Sequence, residues 1–126
     1  MKEVRKDVDI KENLTKILEN KIKLMMLSKF RSIDEYSGEI FKELSDVEMK
    51  NLEILYEKYL IHFNEKPNIK AEVDIDEDIL KLLKETIDME RSLAKKLGPN
   101  FGVRQAVIHS LSDDERLYYY LNKEKH

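Results

Sequence analysis

The chain has 126 residues, 41% hydrophobic and 39% charged, with three glycines and two prolines, which is the balance of one amphipathic helical domain spanning residues 1–126 rather than of a strand-rich protein. A net charge of −3, with lysines interleaved among acids, lacks the basic stripe that binds nucleic acid, so no nucleic-acid partner is expected. The absence of cysteine excludes disulfides, thiolate metal sites, thiol catalysis and a rubredoxin-type electron-donating module, which leaves any electron donor unidentified. No stretch approaches the roughly 18 apolar residues of a membrane span, and the N-terminus has no apolar signal core. A cytoplasmic protein without a membrane partner is expected, and heavy use of Lys and Glu fits a thermophilic source.

In chain order, Ile10, Leu14, Ile17, Leu18, Ile22, Met25 and Met26 recur at helical spacing and predict a first helix from about Asp9 to Phe30. Ser32-Ile33-Asp34-Glu35 reads as a capping box that starts a second helix after a very short turn, running to about His62. Residues 63–73, with Pro67 and two asparagines, break the helical pattern and form a long connection. Asp74 or Asp76 caps a third helix to about Leu97; Gly98-Pro99-Asn100 stops it, and a last helix runs from about Asn100 to Lys123. Short turn, long link, short turn predicts an all-α antiparallel four-helix bundle whose second and third helices run parallel, so that the two hairpins form a repeat.

The sequence supports that repeat: Leu44-Ser45-Asp46-Val47-Glu48 returns as Leu111-Ser112-Asp113-Asp114-Glu115. At 100° per residue, Phe41, Leu44, Leu52, Leu55 and Tyr59 fall within about 40° of Glu48, and Ile108, Leu111 and Tyr119 fall within about 40° of Glu115. Both glutamates are therefore expected to point inward. Glu90 shares its face with Ile79, Leu83, Ala94 and Leu97, and Glu19 is bordered by Ile22, Met26 and Phe30. Four carboxylates aimed at one core cost several kcal/mol each unless a cation or bound protons compensate them. A blander account exists for each: Ser-Asp-x-Glu is also a capping box, Glu19 also fits a surface pair with Lys16 or Lys23, and Glu90 also fits a flank residue pairing with Arg91's neighbours. The capping account requires helix breaks at Ser45 and Ser112, across which the apolar phase runs uninterrupted.

With these residues the chain resembles the ferritin-like superfamily, and within it the rubrerythrin-type di-iron carboxylate proteins. The resemblance covers about Leu14 to Leu121. It implies Glu19 and Glu90 as the ligands of the first and third helices, and Glu48 and Glu115 as the bridging acids of the second and fourth. In that family each bridging acid opens a Glu-x-x-His pair, yet Asn51 and Tyr118 stand at the two histidine positions here. His62 does not replace them, lying about 21 Å along its helix from Glu48. The implied site is thus Glu19, Glu48, Asn51, Glu90 and Glu115, with Tyr118 beside it. It would hold two cations, Fe or Mn, and perform oxidation or peroxide reduction.

Two functional readings stand. One is a divergent metal-binding member of that group. The other is a metal-free bundle in which acids, Asn51 and Tyr118 form a hydrogen-bonded network, and which works as a homodimer or partner-binding module through exposed apolar residues such as Leu24, Leu27 and Tyr120. A rival chemistry, that of the all-helical nucleotide pyrophosphatases, rests only on the pair Glu85 and Asp88.

Overall fold

The computed structural model describes residues 2–34, 38–98 and 101–125. They form four helices and no strand: α1 (Lys2–Asp34), α2 (Gly38–Phe63), α3 (Ile79–Leu97) and α4 (Phe101–Lys125). The helices close into a ring in which α1 packs on α2 and α3, and α4 packs on α2 and α3. The diagonal pairs are α1 with α4 and α2 with α3.

Helix direction follows from who meets whom. One apolar cluster joins Leu14 and Leu18 of α1 to Leu55 and Tyr59 of α2, Leu93 and Leu97 of α3, and Val103 and Val107 of α4. A second joins Leu24 and Leu27, Phe41 and Leu44, Leu82 and Leu83, and Leu117 and Leu121. Early α1 therefore lies with late α2, late α3 and early α4. Helix α1 is antiparallel to its ring neighbours α2 and α3, and α2 runs parallel to α3 across the diagonal, as the loop lengths predict. Each cluster supplies roughly 1.5–3 kcal/mol per fully buried large side chain before the entropy cost of ordering the chain.

Several boundaries move. Helix α1 begins well before Asp9 and continues through Ser32, whose hydroxyl donates back to the Lys29 carbonyl. Ser32 therefore belongs to the last turn of α1 and does not cap α2; a serine that bonds a preceding carbonyl is equally at home inside a helix. Asp78, neither Asp74 nor Asp76, caps α3, accepting from the backbone N–H groups of Leu80 and Lys81. Asp74 instead shapes the turn before it, accepting from Asp76 N–H. The expected break at Pro99-Asn100 lies outside the described residues. Asn64 (φ 53°) and Gly98 (φ 56°, ψ −132°) follow α2 and α3 with positive φ, which ends each helix, and the Gly98 backbone lies outside the left-handed helical region in a conformation that favours glycine.

The connection from α2 to α3 is laid along α1. Lys11 pairs with Glu65, Glu19 accepts from Lys70 N–H, and the Arg31 guanidinium donates to the carbonyls of Ile75 and Glu77. These three attachments, in the same order on both segments, fix the parallel crossover.

Two glycines give opposite expectations for the same substitution. A Cβ on Gly38 would stand 2.7 Å from the Ser32 carbonyl oxygen, whereas one on Gly102 meets nothing within 4 Å. Gly38→Ala is expected to cost about 1–3 kcal/mol by forcing the α1–α2 turn apart. Gly102→Ala should be neutral or stabilising by up to about 1 kcal/mol through helix propensity. Urea denaturation of the two variants checks the difference in sign.

Candidate functional site

Between the two apolar clusters lies a polar layer to which each helix gives one ionisable side chain: Lys21 from α1, Glu48 from α2, Glu90 from α3 and Asp114 from α4. All four are completely buried. The Lys21 ammonium donates to Glu48 Oε2 at 2.8 Å and to Asp114 Oδ2 at 2.9 Å, and faces Glu90 Oε2 at 3.5 Å. Two ammonium hydrogen bonds thus hold Glu48 and Asp114, and Glu90 faces the same charge without a hydrogen bond to it.

The phase of each helix explains the set. Lys21 shares its inward face with Ile10, Leu14, Ile17 and Ser28, and Asp114 with Val103, Val107, Ser110 and Leu121, all buried. Glu48 and Glu90 point inward on the apolar faces assigned to them in the sequence. Glu115 does not: its carboxylate is half exposed and pairs with Arg91 at 3.4 Å. The inward acid of α4 is its neighbour Asp114, because Tyr119 and Tyr120 lie in solvent and Leu117 and Leu121 are buried. Glu19 is also outside the layer, spent on the crossover through Lys70. Ile22, Met26 and Phe30, taken as its inward neighbours, lie on the outer side of α1, with Met26 and Phe30 exposed. Leu24 and Leu27, expected at the surface, are core residues; Tyr120 is exposed as expected.

Asn51 is buried, and its amide donates to Asp113 Oδ2 at 3.1 Å, joining α2 to α4 away from the ammonium. Tyr118 packs on the second apolar cluster beneath the Lys84 ammonium, 5.9 Å from its ring centre, and so is not part of the layer. Three residues after the inward acids Glu48 and Asp114 stand Asn51 and Leu117, an amide already bonded and an aliphatic side chain. Among the described residues no group of three or more His, Asp and Glu side chains is arranged to hold a metal ion. The buried carboxyl groups converge on Lys21.

One ammonium does not balance three carboxylates. If all three were ionised, Glu48 Oε1, both Glu90 oxygens and Asp114 Oδ1 would be buried without a donor. Protonation resolves this, since a neutral carboxyl group donates one hydrogen bond. Burial pushes the Glu48 and Glu90 carboxyls well above the usual range despite the attraction of Lys21, and both hydrogen-bond to Asp114. For Asp114, burial is outweighed by the Lys21 charge and by hydrogen bonds from Glu48, Glu90 and Lys21, so its carboxyl is held below the usual value. Burial likewise opposes the Lys21 charge, but Glu48, Asp114 and Glu90 together hold its ammonium above the ordinary lysine value. These directions describe a layer with Lys21 and Asp114 charged and Glu48 and Glu90 neutral. Its net charge is zero.

Comparison with known proteins finds an uncharacterized protein of the thermophilic archaeon Methanocaldococcus jannaschii, 72% identical over 116 residues, covering 92% of this chain and 96% of the relative. No family model and no solved structure matches.

A signed pH profile follows. Glu48 and Glu90 take up protons on folding, so their contribution is fully present below the ordinary glutamate value of 4.5 and is lost as pH rises through their elevated folded values. Asp114 acts oppositely, its contribution being lost as pH falls through its depressed folded value. Stability should therefore peak in mildly acid solution and decline toward neutral pH by at most about 1.4 kcal/mol per unit for each glutamate. The double variant Glu48→Gln, Glu90→Gln, whose amides can donate as the protonated acids do, should flatten that decline, whereas Lys21→Met should cost about 3–5 kcal/mol at neutral pH. Thermal melts from pH 4 to pH 9 check both; an unchanged slope in the amide variant sinks the protonated assignment.

Proposed function

Because the chain belongs to one family with the Methanocaldococcus jannaschii protein, which carries no assigned activity, we propose from its geometry a metal-independent bundle of ferritin-like type that acts through its surface. The observation that carries this reading is Lys21, whose ammonium occupies the space among the inward acids of the other three helices. The ferritin-like assignment itself is supported by the crossover that sets α2 parallel to α3, and by the four ionisable side chains meeting at one level.

The dinuclear Fe or Mn centre implied by the family does not fit this donor set. It requires imidazole where Asn51 and Leu117 stand, and an acid from α1 where Lys21 stands. A divalent cation beside the ammonium would meet like-charge repulsion in a low-dielectric interior, with nothing gained until the lysine left. The donorless oxygens of Glu48, Glu90 and Asp114 are the one feature favouring the metal-binding reading, and two protons account for them. No oxidase or peroxidase step is derived. The apolar side chains left in solvent, with Met26, Phe30 and Ile33 along one side of α1, are where the surface reading places a homodimer or partner contact.

Incubation with Mn²⁺ or Fe²⁺, desalting and elemental analysis tests the proposal. The wild-type chain should retain no stoichiometric metal, while Lys21→Glu, which supplies a fourth carboxylate in place of the ammonium, should gain it. About two metals retained per wild-type chain and lost in Glu48→Ala would overturn the metal-independent reading in favour of a dinuclear carboxylate centre.

A further inference from the structure

The outer seam between α2 and α4 holds a groove of about 550 Å³. Lys50, Ile54 and Lys58 line it from α2, at i, i+4 and i+8, and therefore on one side of that helix. From α4 it is lined by Gly102, Gln105, Ala106 and His109. Since α2 and α4 are antiparallel, Lys50 faces the His109 end and Lys58 the Gly102 end, about 12 Å apart along the helix. Ile54 and Ala106, which belong to the first apolar cluster or pack on it, form the middle.

The charge of this groove runs against that of the molecule. No acid lines it, on a chain of net charge −3, and neither Lys50 nor Lys58 makes an ion pair among the described residues. Asp46, Glu53 and Glu57 flank the two lysines on α2 without lining the groove, and Asp113, one turn beyond His109 on α4, is engaged elsewhere: by the Asn51 amide at 3.1 Å, by His109 Nδ1 at 3.4 Å and by Arg116 at 3.9 Å. Two free ammonium groups at the ends of an apolar cleft select for negative charge and for apolar surface together. A purely inorganic anion leaves the middle wet, and a neutral apolar molecule leaves the lysines unpaired. The open Gly102 end admits a chain or ring that a side chain at that position would exclude.

We propose that the α2–α4 groove is a binding site for a small amphiphilic anion, a molecule with an apolar body of about ten carbons and a carboxylate, sulfonate or phosphate head. Its apolar body lies over Ile54 and Ala106, and its head pairs with Lys50 or Lys58. This site is separate from the buried layer and does not depend on whether that layer takes metal.

The probe is 1-anilinonaphthalene-8-sulfonate, followed by fluorescence on the full chain, with decanoate, decanol and inorganic phosphate as competitors. One saturable site is expected, displaced by decanoate but not by phosphate or by decanol at the same concentration. Lys50→Glu, Lys58→Glu should weaken binding by about tenfold or more, as loss of both cations demands. Gly102→Leu, at a position where a Cβ meets nothing within 4 Å, places an apolar side chain at the groove's end and should block it at unchanged charge. A cooperative melt of each variant separates these losses from unfolding. Absence of a saturable site, equal displacement by decanol or by phosphate, or undiminished binding in either variant would overturn the proposal.

Discussion

The structure is organised around a lysine in the wrong dielectric. A buried ammonium is tolerated only where opposite charge and hydrogen-bond acceptors surround it, and here each of the other three helices must deliver a carboxyl group to one point. That requirement fixes the rotation of all four helices about their axes, because turning any of them by one residue moves its charged group out of the layer. It also fixes register, since Leu and Ile on either side of the layer are interchangeable in a way that Lys21 and Asp114 are not. The apolar clusters above and below supply most of the stabilisation; the ionic layer supplies specificity, selecting one packing among several that bury similar apolar area.

How much of this was legible in the sequence depends on the helix. The four elements, their short and long connections and the parallel crossover were readable because periodicity and loop length are strong and local. Glu48 and Glu90 were placed inward correctly because α2 and α3 carry narrow apolar faces with one acid centred in each. Helix α4 was read one residue out of phase, with Glu115 in place of Asp114, and α1 two residues out, with Glu19 in place of Lys21. On α1 the apolar residues cover so wide an arc that Ile22, Met26 and Phe30 compete with Leu14, Ile17 and Leu24 for the inward side, and only packing decides. On α4 three consecutive tyrosines pulled the assignment toward Glu115 and away from Asp114.

Lys21 escaped for a different reason. The same 100° construction that flagged Glu48 puts Ile10, Leu14, Ile17, Met25 and Ser28 within about 40° of Lys21, so the information was present. It was hidden by the prior that lysine snorkels to solvent, and by asking the question only of acids. Charge balance offered another route: inward acids without inward histidines imply a compensating cation, and a cation in the sequence is as good a candidate as one from solution.

Sealing the centre of the molecule changes where ligand chemistry can take place. With Lys21 closing the layer, Glu48, Glu90 and Asp114 have no access to solvent, and each movement of charge there must be balanced by a proton. The exposed seam between α2 and α4 has the opposite character, since Lys50 and Lys58 make no ion pair among the described residues while Asp113, beyond its end, is engaged. Asn51 connects the two regions. It is buried one turn beyond Glu48 on α2, and its amide holds the Asp113 carboxylate toward the helix interface, where His109 and Arg116 also engage it. Were Asp113 free to turn along the seam, its charge would reach toward Lys50 and quench the end of the groove nearest His109. The asparagine at the position where the ferritin-like resemblance leads one to expect a histidine thus ties α2 to α4 through an amide donor and fixes the direction of the Asp113 carboxylate.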